Sequence, residues 1–225
     1  AGGMYREKKR DSFFNEYTFN SSTGSGNPQY IDKDWHNFDE IQFTPRAYGN
    51  ISDPLNYDPT EKDGAGYCMV KYTISQSELI AGVRIEHTDQ GYTLKFPTEN
   101  AAPEGNQRYT DILPSFHAKY AIHSNGNLRF SYARAINRPS FFEIVPYSII
   151  NEDYKEKGNP ELKHTVADNI DLRYEFFPRS SEQLMVGLFY KNIKDPIEYG
   201  LLNEGQDTYY KPMNFGTANN WGLEV

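Results

Sequence analysis

Hydrophobic and polar side chains alternate through the middle of this chain. From Asp111 to Ile122 the even positions hold Ile112, Pro114, Phe116, Ala118, Tyr120 and Ile122. The odd positions hold Asp111, Ser115, His117 and Lys119, with Leu113 and Ala121 off pattern. A period of two is that of a strand with one apolar and one polar face. His123-Ser124-Asn125-Gly126 follows. Asn-Gly predicts a tight hairpin at Asn125-Gly126, because both residues tolerate positive φ. The pattern resumes with Leu128, Phe130 and Tyr132 against Arg129, Ser131 and Ala133.

The period recurs on both sides of this hairpin. Cys68, Val70, Tyr72 and Ile74 share one face, and Tyr67, Met69, Lys71 and Thr73 the other. Past a turn at Ser75-Gln76-Ser77, Leu79, Ala81, Val83 and Ile85 alternate with Ile80, Gly82, Arg84 and Glu86. Ile170, Leu172, Tyr174 and Phe176 alternate with Asn169, Asp171, Arg173 and Glu175, and Asp168 interrupts the apolar face. Pro178-Arg179-Ser180-Ser181 turns the chain into Leu184, Val186, Leu188 and Tyr190, and Trp221 to Val225 start a further strand. Met4–Arg10 reads as a strand. Residues 21–62, 87–108, 138–164 and 192–213 lack the period and read as long connections, the first with a helical turn near Trp35 to Glu40.

Short and long connections therefore alternate. The fold class expected is all-β: an antiparallel up-and-down meander of about eight long strands. Its tight turns lie on one rim and its long loops on the other, as in a segment of a transmembrane β-barrel. The apolar sets then meet lipid. Arg84, His117, Lys119, Arg129, Asp171, Arg173 and Glu175 face the lumen, where Asp171, Arg173 and Glu175 with Arg129 and Lys119 fit an ion-pair network. Tyr72, Tyr120, Tyr174 and Phe176 fall toward the short turns, and Tyr132 and Tyr190 toward the long loops, as two aromatic girdles.

Composition adds exclusions. The mean hydropathy is −0.78, and no run of about 18 apolar residues exists, which argues against helical spans but not against strands. A net charge of −8 argues against nucleic acid as a partner. Cys68 is the single cysteine, so no internal disulfide is possible.

Candidate chemistry is sparse. Asp32, Asp34, Asp39 and Glu40 cluster without the glycine a calcium loop uses for its sharp turn. His36, His87, His117, His123 and His164 have no metal-ligand spacing. No metal, cofactor or catalytic residue is expected. Asp111 and Glu175 suit ion pairs in a barrel wall better than a glycosidase pair. The long loops carry Trp35, Phe141, Phe142, Tyr147, Tyr154, Tyr199, Tyr209 and Tyr210, with Arg138 at a loop entrance. Exposed aromatic faces can stack on a sugar or chelate, so these residues are the candidate ligand contacts. Packing of loop on loop is the competing role for each.

Ser131-Tyr132-Ala133-Arg134-Ala135-Ile136-Asn137-Arg138-Pro139-Ser140-Phe141 resembles the strand-to-loop segment of TonB-dependent outer-membrane receptors. Gly158-Asn159-Pro160-Glu161-Leu162-Lys163 is similar to their returning segment, with Glu161 where Asp is commoner and His164 where Pro is usual. Gly82 to Glu86, Leu113-Pro114-Ser115, Phe189-Tyr190-Lys191, Asn214-Phe215-Gly216 and Gly222 to Val225 resemble the family in the same order. The resemblance runs from about Gly66 to Val225. It implies that residues 1–225 are a middle part of the barrel domain: a strand and long extracellular loop over 1–65, then the strand meander over 66–225. It places the protein in the outer membrane of a Gram-negative bacterium. It also implies a receptor, not an enzyme, with outer-membrane lipid, a plug domain, the remaining strands and TonB as partners. The nutrient would be a siderophore, cobalamin, glycan or peptide. The alternatives are a passive or structural outer-membrane barrel and a secreted β-domain that binds or cleaves glycans.

Overall fold

In the computed structural model, residues 1–15, 17–21, 41–45, 53–97, 102–150, 154–179, 181–204 and 207–225 are described. The chain begins with β1 (Gly2–Lys9), β2 (Tyr17–Ser21), β3 (Ile41–Pro45), β4 (Tyr57–Ile74), β5 (Ser77–Leu94), β6 (Glu104–His123) and β7 (Gly126–Asn137). A single-turn helix α1 (Phe141–Ile144) leads to β8 (Ser148–Ile150) and β9 (Lys155–Lys157). The chain continues with β10 (Thr165–Phe176), β11 (Leu184–Lys194), β12 (Ile197–Glu204), β13 (Asp207–Asn214) and β14 (Thr217–Glu224).

Eight strands form one antiparallel sheet in the order β1-β4-β5-β6-β7-β10-β11-β14. The register keeps the apolar set on one face across it. Val70 pairs with Ala81, Ala81 with Phe116, Phe116 with Tyr132, Tyr132 with Ile170, Ile170 with Tyr190, and Tyr190 with Trp221. Paired residues share a face, so this face is apolar from end to end. Val70 is 64% exposed and Ile112 60%. Exposed apolar surface on that scale requires a covering, which lipid supplies to an outer-membrane barrel. The same register gathers Arg84, His117, Lys119, Arg129, Asp171, Arg173 and Glu175 on the opposite, inner face.

The strands outrun the alternation that predicts them. β4 begins at Tyr57, well before Gly66, so the strand meander starts inside the segment read as a loop. β5 continues to Leu94 and β6 begins at Glu104, so most of the connection expected over 87–108 is strand. The reason lies on the outer face. Ile85 gives way to His87 and Asp89, and Ile112 to Thr110 and Arg108. Past the hydrocarbon a strand needs no apolar face, and the signature vanishes while the ladder persists. The described residues of 192–213 are likewise largely strand: they finish β11 and form most of the paired β12 and β13.

The β6–β7 turn is as short as expected but falls one residue earlier. Gly126 pairs with His123, leaving Ser124-Asn125 as the turn, and a register shift between Ala121 and His123 absorbs the twist. Positive φ falls instead on Ser75 (φ 50°), in the β4–β5 turn. Trp35, the predicted helical turn beside it and the acidic cluster of the first loop lie outside the described residues.

Buried hydrophobic residues sit at the long-loop end. Leu55, Tyr57, Tyr92 and Leu94 pack with Phe141, Ile144, Val145, Tyr147 and Leu162. Tyr57 and Leu94 are cross-strand partners, so the upper β4–β5 hairpin provides one wall. The β7–β10 connection folds onto that wall from the inner side.

Candidate functional site

Asn137 ends β7, and Arg138-Pro139 directs the chain over the inner wall. Pro139 donates no ladder hydrogen bond, which is why the strand stops here. Ser140 then caps α1: its Oγ accepts from the Glu143 amide at 3.3 Å, and the Glu143 carboxylate accepts from the Ser140 amide at 2.6 Å. The connection is pinned to the wall at two points. Gln90 Nε2 donates to the Pro139 carbonyl at 2.8 Å. Arg138 donates from Nε to Thr88 Oγ1 at 3.1 Å, pairs with Glu86, and lies 3.2 Å from Asp63 Oδ1.

These acids alternate along β4 and β5 on the inner face. Glu61 and Asp63 on β4 and Glu86 on β5 are buried. Arg6 on β1 donates to Asp63 Oδ2 at 2.6 Å and to Glu61 at 3.0 Å, and Lys8 lies 2.8 Å from Glu61. Arg84 Nε donates to Glu86 at 2.6 Å. Burial pushes the Asp63 carboxyl upward, but the Arg6 and Thr88 hydrogen bonds and the Arg138 charge outweigh it and hold the pKa below its ordinary value. Arg138 was expected at the ligand mouth. It is instead committed to this network, because the wall's carboxylates need cations to offset their burial.

The Gly158-Asn159-Pro160 segment joins the loops to one another. Gly158 donates its amide to the Tyr147 carbonyl at 3.1 Å, and a Cβ here would overlap the Val145 carbonyl oxygen. Asn159 donates its amide to the Glu143 carbonyl at 2.6 Å and its Nδ2 to Pro212 at 2.9 Å. Asn214 accepts from the Lys163 amide at 2.8 Å and donates to the carbonyls of Lys163 and Asp195. These bonds tie α1, the β9–β10 connection and the β12–β13 hairpin into one body.

A second sheet, ordered β12-β13-β9-β8, forms the upper part of that body. Tyr210 lies between Tyr199, stacked at a centroid distance of 4.9 Å, and Tyr154, edge-on at 5.5 Å. Tyr209 carries the Lys157 ammonium 3.3 Å from its ring centroid and Lys155 at 5.8 Å, a cation–π geometry. Tyr147 and Phe141 are buried, so neither offers an exposed face. Tyr147 donates to Glu156 at 2.6 Å. Burial and that carboxylate push its hydroxyl up, and it stays a neutral donor. Burial and the charges of Glu143 and Glu156 also raise Tyr199. Phe142, 37% exposed, covers Tyr147 at 4.2 Å. Of the aromatic candidates, the structure gathers Tyr154, Tyr199 and Tyr210 in one cluster, sets Tyr209 on another part of the same sheet, and uses Phe141 and Tyr147 as packing.

Below the loops, His164 lies 3.0 Å from Asp111 and stacks on Tyr109 at 3.9 Å. Burial pushes the Tyr109 hydroxyl up to about 12. Nearer the short turns, an open cavity of roughly 520 Å³ lies among His117, Lys119, Arg129, Ser131, Asp171 and Arg173. Arg129 donates to Glu175 at 2.8 Å. Lys119 and Arg173, set in register on either side of Arg129, make no ion pair among the described residues. The expected network is therefore narrower there, while a larger one, at Arg6, Asp63, Glu86 and Arg138, lies higher on the wall. Asp111 and Glu175 each face a base, not one another. Among the described residues no three His, Cys, Asp or Glu side chains converge on a metal-sized site.

Sequence reasoning missed Arg6, Glu61, Asp63, Thr88 and Gln90. Glu61 and Asp63 do keep a period of two, but they fall in stretches without an apolar partner face.

The family model described as "Outer membrane protein beta-barrel family" matches residues 25–225. No curated protein matches in sequence. Among solved structures, the chain is similar to the FrpB iron transporter of Neisseria meningitidis, with a TM-score of 0.55 and 15% identity. That match covers 80% of this chain and 28% of that one. It is similar to the hemophore receptor HasR of Serratia marcescens, solved with its hemophore HasA and heme, with a TM-score of 0.59 and 11% identity over 81% of this chain and 33% of that one. It is also similar to the ferric enterobactin receptor PfeA of Pseudomonas aeruginosa, with a TM-score of 0.52 and 14% identity over 98% of this chain and 38% of that one. The chain thus spans well under half the length of each of these structures.

Proposed function

This chain belongs to the outer membrane protein β-barrel family, and from that premise we propose that it is the wall and part of the outer mouth of a receptor for TonB-energised nutrient uptake. The protein lies in the outer membrane of a Gram-negative bacterium, and its structural neighbours are transporters and receptors, not enzymes. The observation that carries the receptor reading is the state of the loops. A receptor gains affinity when the groups that meet its ligand are already held in place. Here the long connections form a second sheet joined by Asn159 and Asn214, anchored to the wall through Arg138, and carrying the Tyr154–Tyr210–Tyr199 cluster. A preorganised aromatic surface suits a large planar or ring-bearing ligand.

A ferric chelate or heme is the proposed cargo. The structural neighbours include an iron transporter, a ferric enterobactin receptor and a hemophore receptor solved with heme, and the tyrosine rings with Lys157 over Tyr209 suit an anionic aromatic chelate. A plug domain, further strands and TonB would complete the machine.

The test is binding of ferric catecholates, ferric hydroxamates, heme, cobalamin and oligosaccharides to the intact purified protein, read by intrinsic fluorescence. Saturable binding of one iron-bearing class is expected, weakened about fivefold by Tyr210→Ala, the scale of one lost ring contact. Absence of binding by all five classes, with steady ion conductance in planar bilayers, would establish a passive barrel instead.

A further inference from the structure

The inner wall of the upper lumen holds a crevice of roughly 310 Å³ between β1 and the corner where β7 runs into α1. Arg6, Lys8 and Arg10 line it from one side, Glu61 from β4, and Arg138 and Ser140 from the corner. The strand period brings the first three together. Arg6 and Lys8 stand opposite Asp63 and Glu61 in the β1–β4 register. Arg10 keeps their parity, and its amide extends the ladder by donating to the Pro59 carbonyl at 3.2 Å.

Charge in this crevice is sorted by depth. The Glu61 and Asp63 side chains are 6% and 0% exposed, whereas those of Arg6 and Lys8 are 44% and 42% exposed. The acids therefore lie in the wall, and the cations face the lumen.

The two signs do not balance. Arg6, Lys8, Arg84 and Arg138 serve Glu61, Asp63 and Glu86. Arg10 makes no ion pair among the described residues. Its guanidinium carbon lies 5.7 Å from the Phe141 ring centroid. That contact holds the group over the crevice and cancels none of its charge. Cations thus outnumber carboxylates here, on a chain whose net charge is −8.

We propose that the crevice is a charge filter for the cargo: it takes an anionic arm of a ferric chelate, of catecholate or carboxylate type, and gives a neutral hydroxamate chelate no counter-charge to meet. This rests on the receptor reading and narrows its substrate class. A guanidinium presents paired N–H donors that match two adjacent oxygens of a carboxylate or catecholate. Arg10 has no protein carboxylate to give up, so it receives the anion first, with Arg6 and Lys8 adding charge beside it. The tyrosine cluster on the second sheet offers ring surface to any aromatic ligand, so ring contact and charge are read by different residues. Arg138 and Ser140 form one side of the crevice, which therefore exists only while the corner is docked.

The test uses the intact purified protein and three probes: a ferric tris-catecholate, ferric citrate and a neutral ferric trihydroxamate. Binding is read by intrinsic fluorescence at low and high chloride. An anionic probe should bind more tightly than the hydroxamate, and its affinity alone should fall as salt screens the site. Arg10→Gln should weaken that probe about fivefold, the scale of one partly exposed ion pair, and leave the hydroxamate unchanged. Arg10→Lys should keep most of the affinity. Resistance of the barrel to dodecyl sulfate at room temperature reports that each variant is folded. Catecholate above citrate, or the reverse, names the arm, and either order supports the filter. Equal affinity for anionic and neutral probes, or an anionic affinity unchanged in folded Arg10→Gln, overturns it. If none of the three binds, the receptor reading fails and iron-free citrate decides the crevice on its own. Slower hydrogen exchange over 138–144 in the wild type but not in Arg10→Gln supports an oxyanion site, and no slowing overturns it.

Discussion

Arg138, the residue after β7, lies 3.2 Å from Asp63 in β4. The two are distant in sequence and are separated in the sheet by β5 and β6. The pair crosses the inner wall and fixes the β7–β10 connection over the upper lumen. Asp63 is fully buried and Arg138 is 17% exposed at its side chain. Breaking such a buried pair by removing one partner costs about 3 kcal/mol. Arg138→Ala should therefore release the connection while the lower strands keep their pairing. Hydrogen exchange should rise over 138–163 and stay unchanged at β10 and β11. Uniform protection throughout would show that the network does not anchor the loop.

The same pair sets an acid limit. Asp63 titrates below its ordinary value, so its ionised form is favoured in the fold. A depressed carboxylate contributes stability that is complete above the unfolded value of about 3.9 and is lost as pH falls through the lower folded value. Loop anchoring should be constant from neutrality to about pH 5 and weaken below about pH 4. Limited proteolysis of the intact protein across that range, with an acid-active protease, checks the sign. Loosening on raising pH toward neutrality would contradict it.

Gly158 has no room for a side chain, because its Cβ would overlap the Val145 carbonyl. That obstacle is backbone, which cannot swing aside. Gly158→Ala should cost about 2 kcal/mol, in the range of overpacked sites. It should also lower ligand affinity without any change at a contact residue. Hydrogen exchange measured beside binding separates it from Tyr210→Ala: Gly158→Ala should loosen the segment around Val145 and Tyr147, and Tyr210→Ala should weaken binding and loosen the Tyr154–Tyr210–Tyr199 cluster instead.

Tyr147 makes a smaller test of the same body. Its hydroxyl donates to Glu156 at 2.6 Å from a buried position. Tyr147→Phe keeps the ring against Phe142 and removes the donor, at about 1–3 kcal/mol for a hydrogen bond to a charged group. Faster exchange confined to β8 and β9 is the expected result.

The membrane-level architecture was legible because it obeys a local rule. Lipid on one side and lumen on the other force a period of two, visible in Ile112 to Ile122 and in Ile170 to Phe176. Above the membrane that rule lapses. Glu61, Asp63 and Glu86 keep the period, but the opposite positions, Lys62 and His87, are as polar as they are, so no contrast remains to read. Loop aromatics were harder still. Tyr147 and Tyr154 look alike in sequence, yet one is fully buried and the other is 39% exposed.

By itself, then, the sequence determined the alternating strands, the sorting of short turns from long loops, and the lipid-facing and inner sets, because each follows from neighbours two residues apart in an environment with two sides. The tertiary structure alone decided the length of the strands beyond the bilayer, the meeting of Arg6, Asp63, Glu86 and Arg138, and the joining of Asn159 to Pro212. Those outcomes depend on which distant strands become neighbours, and pairing between strands is set by cross-strand register, which local periodicity does not specify.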